Sequence, residues 1–360
     1  MTAPSSDHRY AALDGLRGFA VLLVFCVHAA GNAVEVSSRL DLDHVHLGDL
    51  SEAADLLLFW LWRSHHGVFL FFVLSGFLIG RMWWPDARMS YADFAWRRTL
   101  RIYPAFLVSF AASLLFAWRD GTWTPPDWPR VVGNLLFLNG VEGLHVAPFN
   151  IVTWSLFYEM TFYLAFPLVV VAMHAARVRH GTGVWAFGVA APAAAAVLGA
   201  NPFVLCWSLL FVGVAIAVHE PALVAFSRRL PAVAVAAAYL AVTTFALTSY
   251  ATPIFTILAF GGAAALVVAK CLATPNGLAA ILAATPLRSL GRISYSFYLV
   301  HWMVVVLVAR EVQARAAGPV TGPVTIFVGG FLLSALVATL LWWLAERPYF
   351  ALVRTRTGPR

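Results

Sequence analysis

The run LDGLRGFAVLLVFCVHAAGN, from Leu13 to Asn32, is long and apolar enough to cross a bilayer, yet it carries Asp14 and Arg17 at one end and His28 deep inside. At ~100° per residue the separation of Arg17 and His28 returns to nearly the same helix face, roughly 16 Å further along the axis. Ionisable groups inside a span cost free energy, so they read first as a functional lining with partners on neighbouring helices. A snorkelling arginine and a hydrogen-bonded core histidine are the plain alternatives.

The rest of the chain is of the same kind. Hydrophobic residues make up 61% and charged residues 11%, far from the soluble average of about 25% charged. The expected fold is all-α, a polytopic membrane bundle of about ten helices, at 13–32, 67–84, 99–118, 154–173, 183–199, 202–219, 231–248, 253–271, 293–309 and 324–344. Residues 1–350 read as one integral membrane domain, followed by a short basic tail at 351–360.

The net charge of +7 could suggest nucleic acid. Its basic residues instead fall in short loops between apolar segments, and no basic arm or nucleic-acid motif accompanies them. With the N-terminus inside, every Lys and Arg except Arg39, Arg63, Arg119, Arg130, Arg310 and Arg315 falls on the inner side, which predicts both termini cytoplasmic. Cys26, Cys206 and Cys271 show neither a disulfide framework nor metal-ligand spacing, so no metal is expected. A cleaved leader is the other reading of the N-terminus, against which stand the length of the first run and its three ionisable residues.

In chain order, AADLLLFWLW is too short to span and reads as an interfacial helix. The segment FLFFVLSGFLIG brings Ser75 and Gly76 to mid-membrane, where small residues allow close helix contact. The basic segment FAWRRTLRIYPAF places Arg98 and Arg101 at i and i+3 on one helix face, with Arg97 and Tyr103 close by. Such a cluster suits a phosphorylated ligand or anionic lipid equally. After a surface-lying or re-entrant stretch, TWTPPDWP to VVGNLLFLNG, the segment TWSLFYEMTFYLAFP sets Glu159 ~9 Å below one face, close to the depth of His28. An acid so placed needs a partner, and His28 is a candidate. Late in the chain LGRISYSFYLVHWM puts Ser294, Tyr298 and His301 on one polar stripe, where His301 is either a core histidine or functional.

Together LDGLRG with its following His28, FFVLSGFLIG, RRTLRIYP, WSLFYEMTFY and ISYSFYLVHW resemble acyltransferase family 3 over essentially the whole chain. The resemblance implies a ten-span protein of a bacterial cytoplasmic membrane. It would move an acyl group, most often acetyl, from cytoplasmic acyl-CoA to a hydroxyl of an extracytoplasmic glycan or lipid-linked sugar, or of a small molecule such as a macrolide sugar. It assigns Arg17, Arg98 and Arg101 to the coenzyme and His28 to the essential histidine.

The chemistry expected is removal of a hydroxyl proton by His28 as general base, with Glu159 orienting the imidazole. Ser75, Tyr103, Tyr298 and His301 are candidates for lining the path. A transporter or flippase for a lipid-linked sugar would need a similar path, but repeated halves and paired broken helices are not evident in the sequence.

Overall fold

The computed structural model describes residues 6–37, 53–62, 65–83, 90–125, 127–175, 183, 186–190, 193–194, 197, 202–248, 255–318 and 320–349. Among these residues every regular element is helical. In chain order they are α1 (Ser6–Ser37), α2 (Ala53–Trp62), α3 (His66–Trp83), α4 (Tyr91–Arg119), α5 (Trp128–Leu135), α6 (Trp154–Ala175), α7 (Pro202–Val218), α8 (Glu220–Arg228) and α9 (Ala232–Thr248). Then come α10 (Gly261–Leu272), α11 (Gly277–Leu282), α12 (Thr285–Arg292), α13 (Ser294–Ala314) and α14 (Thr321–Leu341). Short π-helical turns precede α10 at Thr256–Phe260 and follow α14 at Trp342–Glu346.

Among the described residues six stretches are long and apolar enough to cross a membrane: Tyr10–Glu35, Asp55–Trp83 (which takes in most of α2 and all of α3), Tyr91–Arg119, Ile151–Met173, Ser294–Ala314 and Thr321–Tyr349. They mark the chain as a membrane protein. The ten segments expected from hydropathy divide accordingly. One, at 202–219, becomes the straight part of a pair bent by 82°, Phe203–Val218 with Glu220–Arg228. The bend falls where Pro221 removes a backbone N–H and its ring clashes with the preceding turn. Two more correspond to shorter apolar helices, Ala232–Thr244 and Thr256–Leu272. The candidate at 183–199 and the tail at 351–360 lie largely or wholly outside the described residues. Counting the bent pair as one span gives up to seven.

Contacts gather the chain into two compact units that alternate along the sequence. The first comprises Met1–Val24, Arg63–Ser90 and Thr161–Arg292; the second comprises Phe25–Trp62, Tyr91–Met160 and Ile293–Arg360.

In the first unit glycines set how closely helices approach. A Cβ on Gly76 would overlap the carbonyl of Leu210, and one on Gly213 the carbonyl of Val73, so α3 and α7 meet backbone to backbone. The glycines of LDGLRG do the same for α1. Gly15 lies against the Leu282 carbonyl, Gly18 against that of Leu287, and Gly291 against that of Asp14. Such small-residue contacts are the usual means of close helix association where hydrophobic transfer supplies little between helices. The only lysine of the chain, Lys270, is buried and donates to the carbonyls of Ser227 at 2.8 Å and Leu230 at 2.6 Å. It thereby closes the C-terminal end of α8, where a cation is favoured.

In the second unit α13 packs on α14, and an aromatic cluster fills the seam. Phe25 meets Phe297, Phe327 and Phe331 at ring separations of 6.0, 6.4 and 5.5 Å. The connection from α4 to α6 is organised by Arg130. Its guanidinium donates to the carbonyls of Thr122, Ala147 and Pro148 and lies 4.1 Å over the Phe149 ring. Asp127 caps α5 by accepting from the Arg130 N–H at 3.2 Å, with Pro129 in the first turn.

Candidate active site

His28 is the deepest ionisable residue of the first apolar run, and its neighbour in the second unit is His301, with ring centroids 5.2 Å apart and planes inclined by 51°. His28 is half-buried; His301 is fully buried. His301 Nδ1 lies 2.8 Å from the Tyr298 carbonyl and 3.2 Å from that of Phe297. Carbonyl oxygens only accept, so Nδ1 carries a hydrogen, and in the neutral ring the lone pair is on Nε2. Among the described residues that buried Nε2 has no hydrogen-bond partner. The Phe297 ring stacks on the imidazole at 6.0 Å and 12°. The buried nitrogen thus belongs to a ring that stacks on Phe297 and lies beside a second imidazole.

The helix under His301 is held from several sides. The Tyr298 hydroxyl donates to the Val152 carbonyl at 2.6 Å and lies 2.7 Å from Ser155 Oγ. The Leu299 carbonyl accepts from Asn150 Nδ2 at 2.7 Å and from Ser109 Oγ at 3.1 Å. Tyr298, expected to line a path, therefore has its hydroxyl engaged in tying α13 to the start of α6. Asn150 is the anchor that sequence reading overlooked. It sits in an irregular stretch without helical periodicity, and only tertiary contact reveals it.

Arg98 and Arg101 fall within one continuous helix, α4, as the i, i+3 reading required, and both are half-buried. The Arg98 guanidinium lies 5.4 Å over the Phe94 ring. Pro104 follows in the next turn and leaves the Leu100 carbonyl without its usual helical donor. Tyr103 donates to the Leu135 carbonyl at 3.3 Å and packs against Phe106 and Phe137, which joins α4 to the end of α5. Tyr295 donates to the Ile102 carbonyl at 3.0 Å, so the first turn of α13 meets α4 one residue after Arg101.

Glu346 is 2% exposed, and its Oε1 accepts from the Ser296 backbone N–H at 3.0 Å and from the Ser296 hydroxyl. A carboxylate there satisfies an orphan donor of the first turn of α13 and meets the positive end of its dipole.

Glu159 lies half-buried on α6 in the same unit as His28. Arg17 and Ser75 belong to the other unit. Arg17 is half-buried between the two close-packed glycines of α1. Ser75 Oγ is 3.5 Å from the Tyr163 hydroxyl, beside the Gly76 contact. No group of metal-ligating side chains occurs among the described residues.

An all-helical membrane protein with two adjacent histidines, one of them fully buried, and a basic helix is the class these features define. Residues 10–343 match the acyltransferase 3 family, described as an acyltransferase domain, and the chain belongs to that family. It is 32% identical to the acyltransferase MdmB of Streptomyces mycarofaciens over 82% of this chain and 79% of that protein. YrhL of Bacillus subtilis, named for peptidoglycan O-acetyl transfer, is 27% identical over 96% of this chain but only 55% of its own length. An uncharacterised Haemophilus influenzae protein is 34% identical over 28% of this chain. No solved structure matches.

Proposed function

We propose that this protein is an O-acyltransferase that moves an acyl group, acetyl in the first instance, from cytoplasmic acyl-CoA to a hydroxyl of a carbohydrate acceptor. The observation that carries the reading is the close approach of His28 to buried His301. A sugar hydroxyl is a weak nucleophile at neutral pH, and an imidazole is suited to taking its proton as it attacks. In the proposed step the hydroxyl oxygen bonds to the thioester carbonyl carbon while its proton passes to His28. The carbon–sulfur bond then breaks, and the coenzyme thiolate leaves and is protonated.

Arg98 and Arg101 are assigned to the coenzyme phosphates, where guanidinium forks are favoured over point charges. Arg17 is assigned to the coenzyme by resemblance alone. Glu159 balances the charge of protonated His28. The family and the name of YrhL support an oxygen acceptor, and the excess of arginine on one set of loops supports an inner-membrane protein with both termini cytoplasmic. Membership of an acyltransferase family leaves the transporter reading without support.

The test uses membrane vesicles containing the full chain, supplied with radiolabelled acetyl-CoA, with label counted in precipitated glycan and in extracted lipid. The native protein labels one of these fractions. His28→Ala, recovered in the membrane at the same level, labels it at least ~10²-fold more slowly. Equal labelling by the two proteins refutes the assignment.

A further inference from the structure

We propose that His301 is the positioning residue for His28: its Nε2 lone pair accepts the His28 N–H, fixes which His28 nitrogen is basic, and holds the imidazolium formed when His28 takes the acceptor proton. This rests on the reading of His28 as the base. The sequence pattern offered Glu159 as the group that orients His28; the His28–His301 approach adds a second histidine to that task.

A histidine that merely filled the core would have both nitrogens hydrogen-bonded, as buried polar groups nearly always do. In His301 one nitrogen is bonded and the other is not. The bond at Nδ1 is made to the carbonyls of its own helix, which sets the tautomer and leaves an acceptor at the opposite edge of the ring. That acceptor is fully buried, so bulk water does not compete for it. Two imidazoles sharing an N–H···N bond have centroids about 5 Å apart, given a nitrogen separation near ~2.9 Å. The observed 5.2 Å matches that separation, which puts such a bond within reach of the two rings. Catalytic hydrogen bonds are commonly open before substrate binds. The arrangement repeats the logic of a triad with a neutral third member: backbone carbonyl, oriented imidazole, reactive imidazole. The proton balance is unchanged. The acceptor proton moves to His28 and then to the departing sulfur, and His301 keeps its own.

The experiment compares His301→Leu, His301→Gln and the double variant His28→Ala with His301→Leu, in the vesicles and with the labelled acetyl-CoA used above. Leu removes the acceptor; Gln keeps an amide oxygen near the Nε2 position. Leu is expected to lower maximal turnover by ~10-fold to ~10²-fold without raising KM for acetyl-CoA, and Gln to restore part of the loss. The double variant should be no slower than His28→Ala alone, since members of one catalytic unit are not additive. Normal turnover in Leu, equal loss in Leu and Gln, a loss confined to KM, or additive losses would each overturn the proposal. If His28→Ala itself labels normally, the underlying reading fails instead, whatever His301 does.

Discussion

The Tyr298 hydroxyl stands 2.7 Å from Ser155 Oγ, both buried, and so joins the polar stripe of α13 to the first turn of α6. The residues that the sequence groups by periodicity thus do different work: on one stripe, Tyr298 secures the helix and His301 offers a free nitrogen. Tyr298→Phe should therefore act on stability before chemistry. Losing a buried hydroxyl and leaving the Val152 carbonyl with one donor fewer costs about 1–3 kcal/mol. Thermal unfolding in detergent should occur at lower temperature, while KM for acetyl-CoA stays near normal. A large KM change with unaltered melting would return Tyr298 to the substrate path.

On the proposed assignment of Arg98 and Arg101 to the coenzyme phosphates, Arg98→Ala and Arg101→Ala should weaken donor binding more than they disturb folding, because each would remove charge-assisted bonds. KM for acetyl-CoA should rise by ~10-fold or more for each. Lysine at both positions should recover only part of it, since an ammonium lacks the guanidinium fork. Full recovery with lysine would favour anchoring to anionic lipid.

Gly15 and Gly262 make a matched pair for testing close packing. A Cβ on Gly15 would meet the Leu282 carbonyl, whereas one on Gly262 meets nothing within 4 Å. Gly15→Ala should destabilise by ~1–3 kcal/mol or prevent accumulation in the membrane. Gly262→Ala, within α10, should be neutral or mildly stabilising through helix propensity. Yield and melting temperature of the two variants, measured side by side, decide it.

Asp120, just past the end of α4, accepts from Arg310 at 2.6 Å. That hydrogen bond, followed by the charges of Arg310 and Arg119, holds its carboxyl below the usual carboxylate range. A lowered folded pKa means the contribution is present in full above the unfolded value of about 3.9 and is lost as pH falls through the folded one. The Arg310 side chain is 52% exposed, so solvent screening keeps the contribution to ~1 kcal/mol at most. Asp120→Asn should melt slightly earlier at pH 7, and the difference should vanish below the folded pKa. A difference that persists there would show the effect to be steric.

Much of the fold was legible because hydrocarbon imposes one backbone solution. The helices around His28, Arg98, Glu159 and His301 follow from length and apolarity alone, and the i, i+3 placement of Arg98 and Arg101 needs only helical period. What escaped the sequence has a physical reason in each case. The meeting of His28 and His301 is a long-range contact, invisible to periodicity. Asn150 lies in an irregular stretch. Glu346 is buried against the N-terminus of α13, a contact that only folding delivers. The glycines of LDGLRG signal close approach, but the carbonyls they approach lie near the far end of the chain.

Two side chains from separate segments, Ser109 and Asn150, meet on the single carbonyl of Leu299, two residues before His301. A helix gripped at that point cannot slide along its axis or turn about it without giving up both bonds. On the proposed role of His301, that grip makes it a fixed reference, and acceptors of differing bulk would have to be accommodated by the groups that approach it.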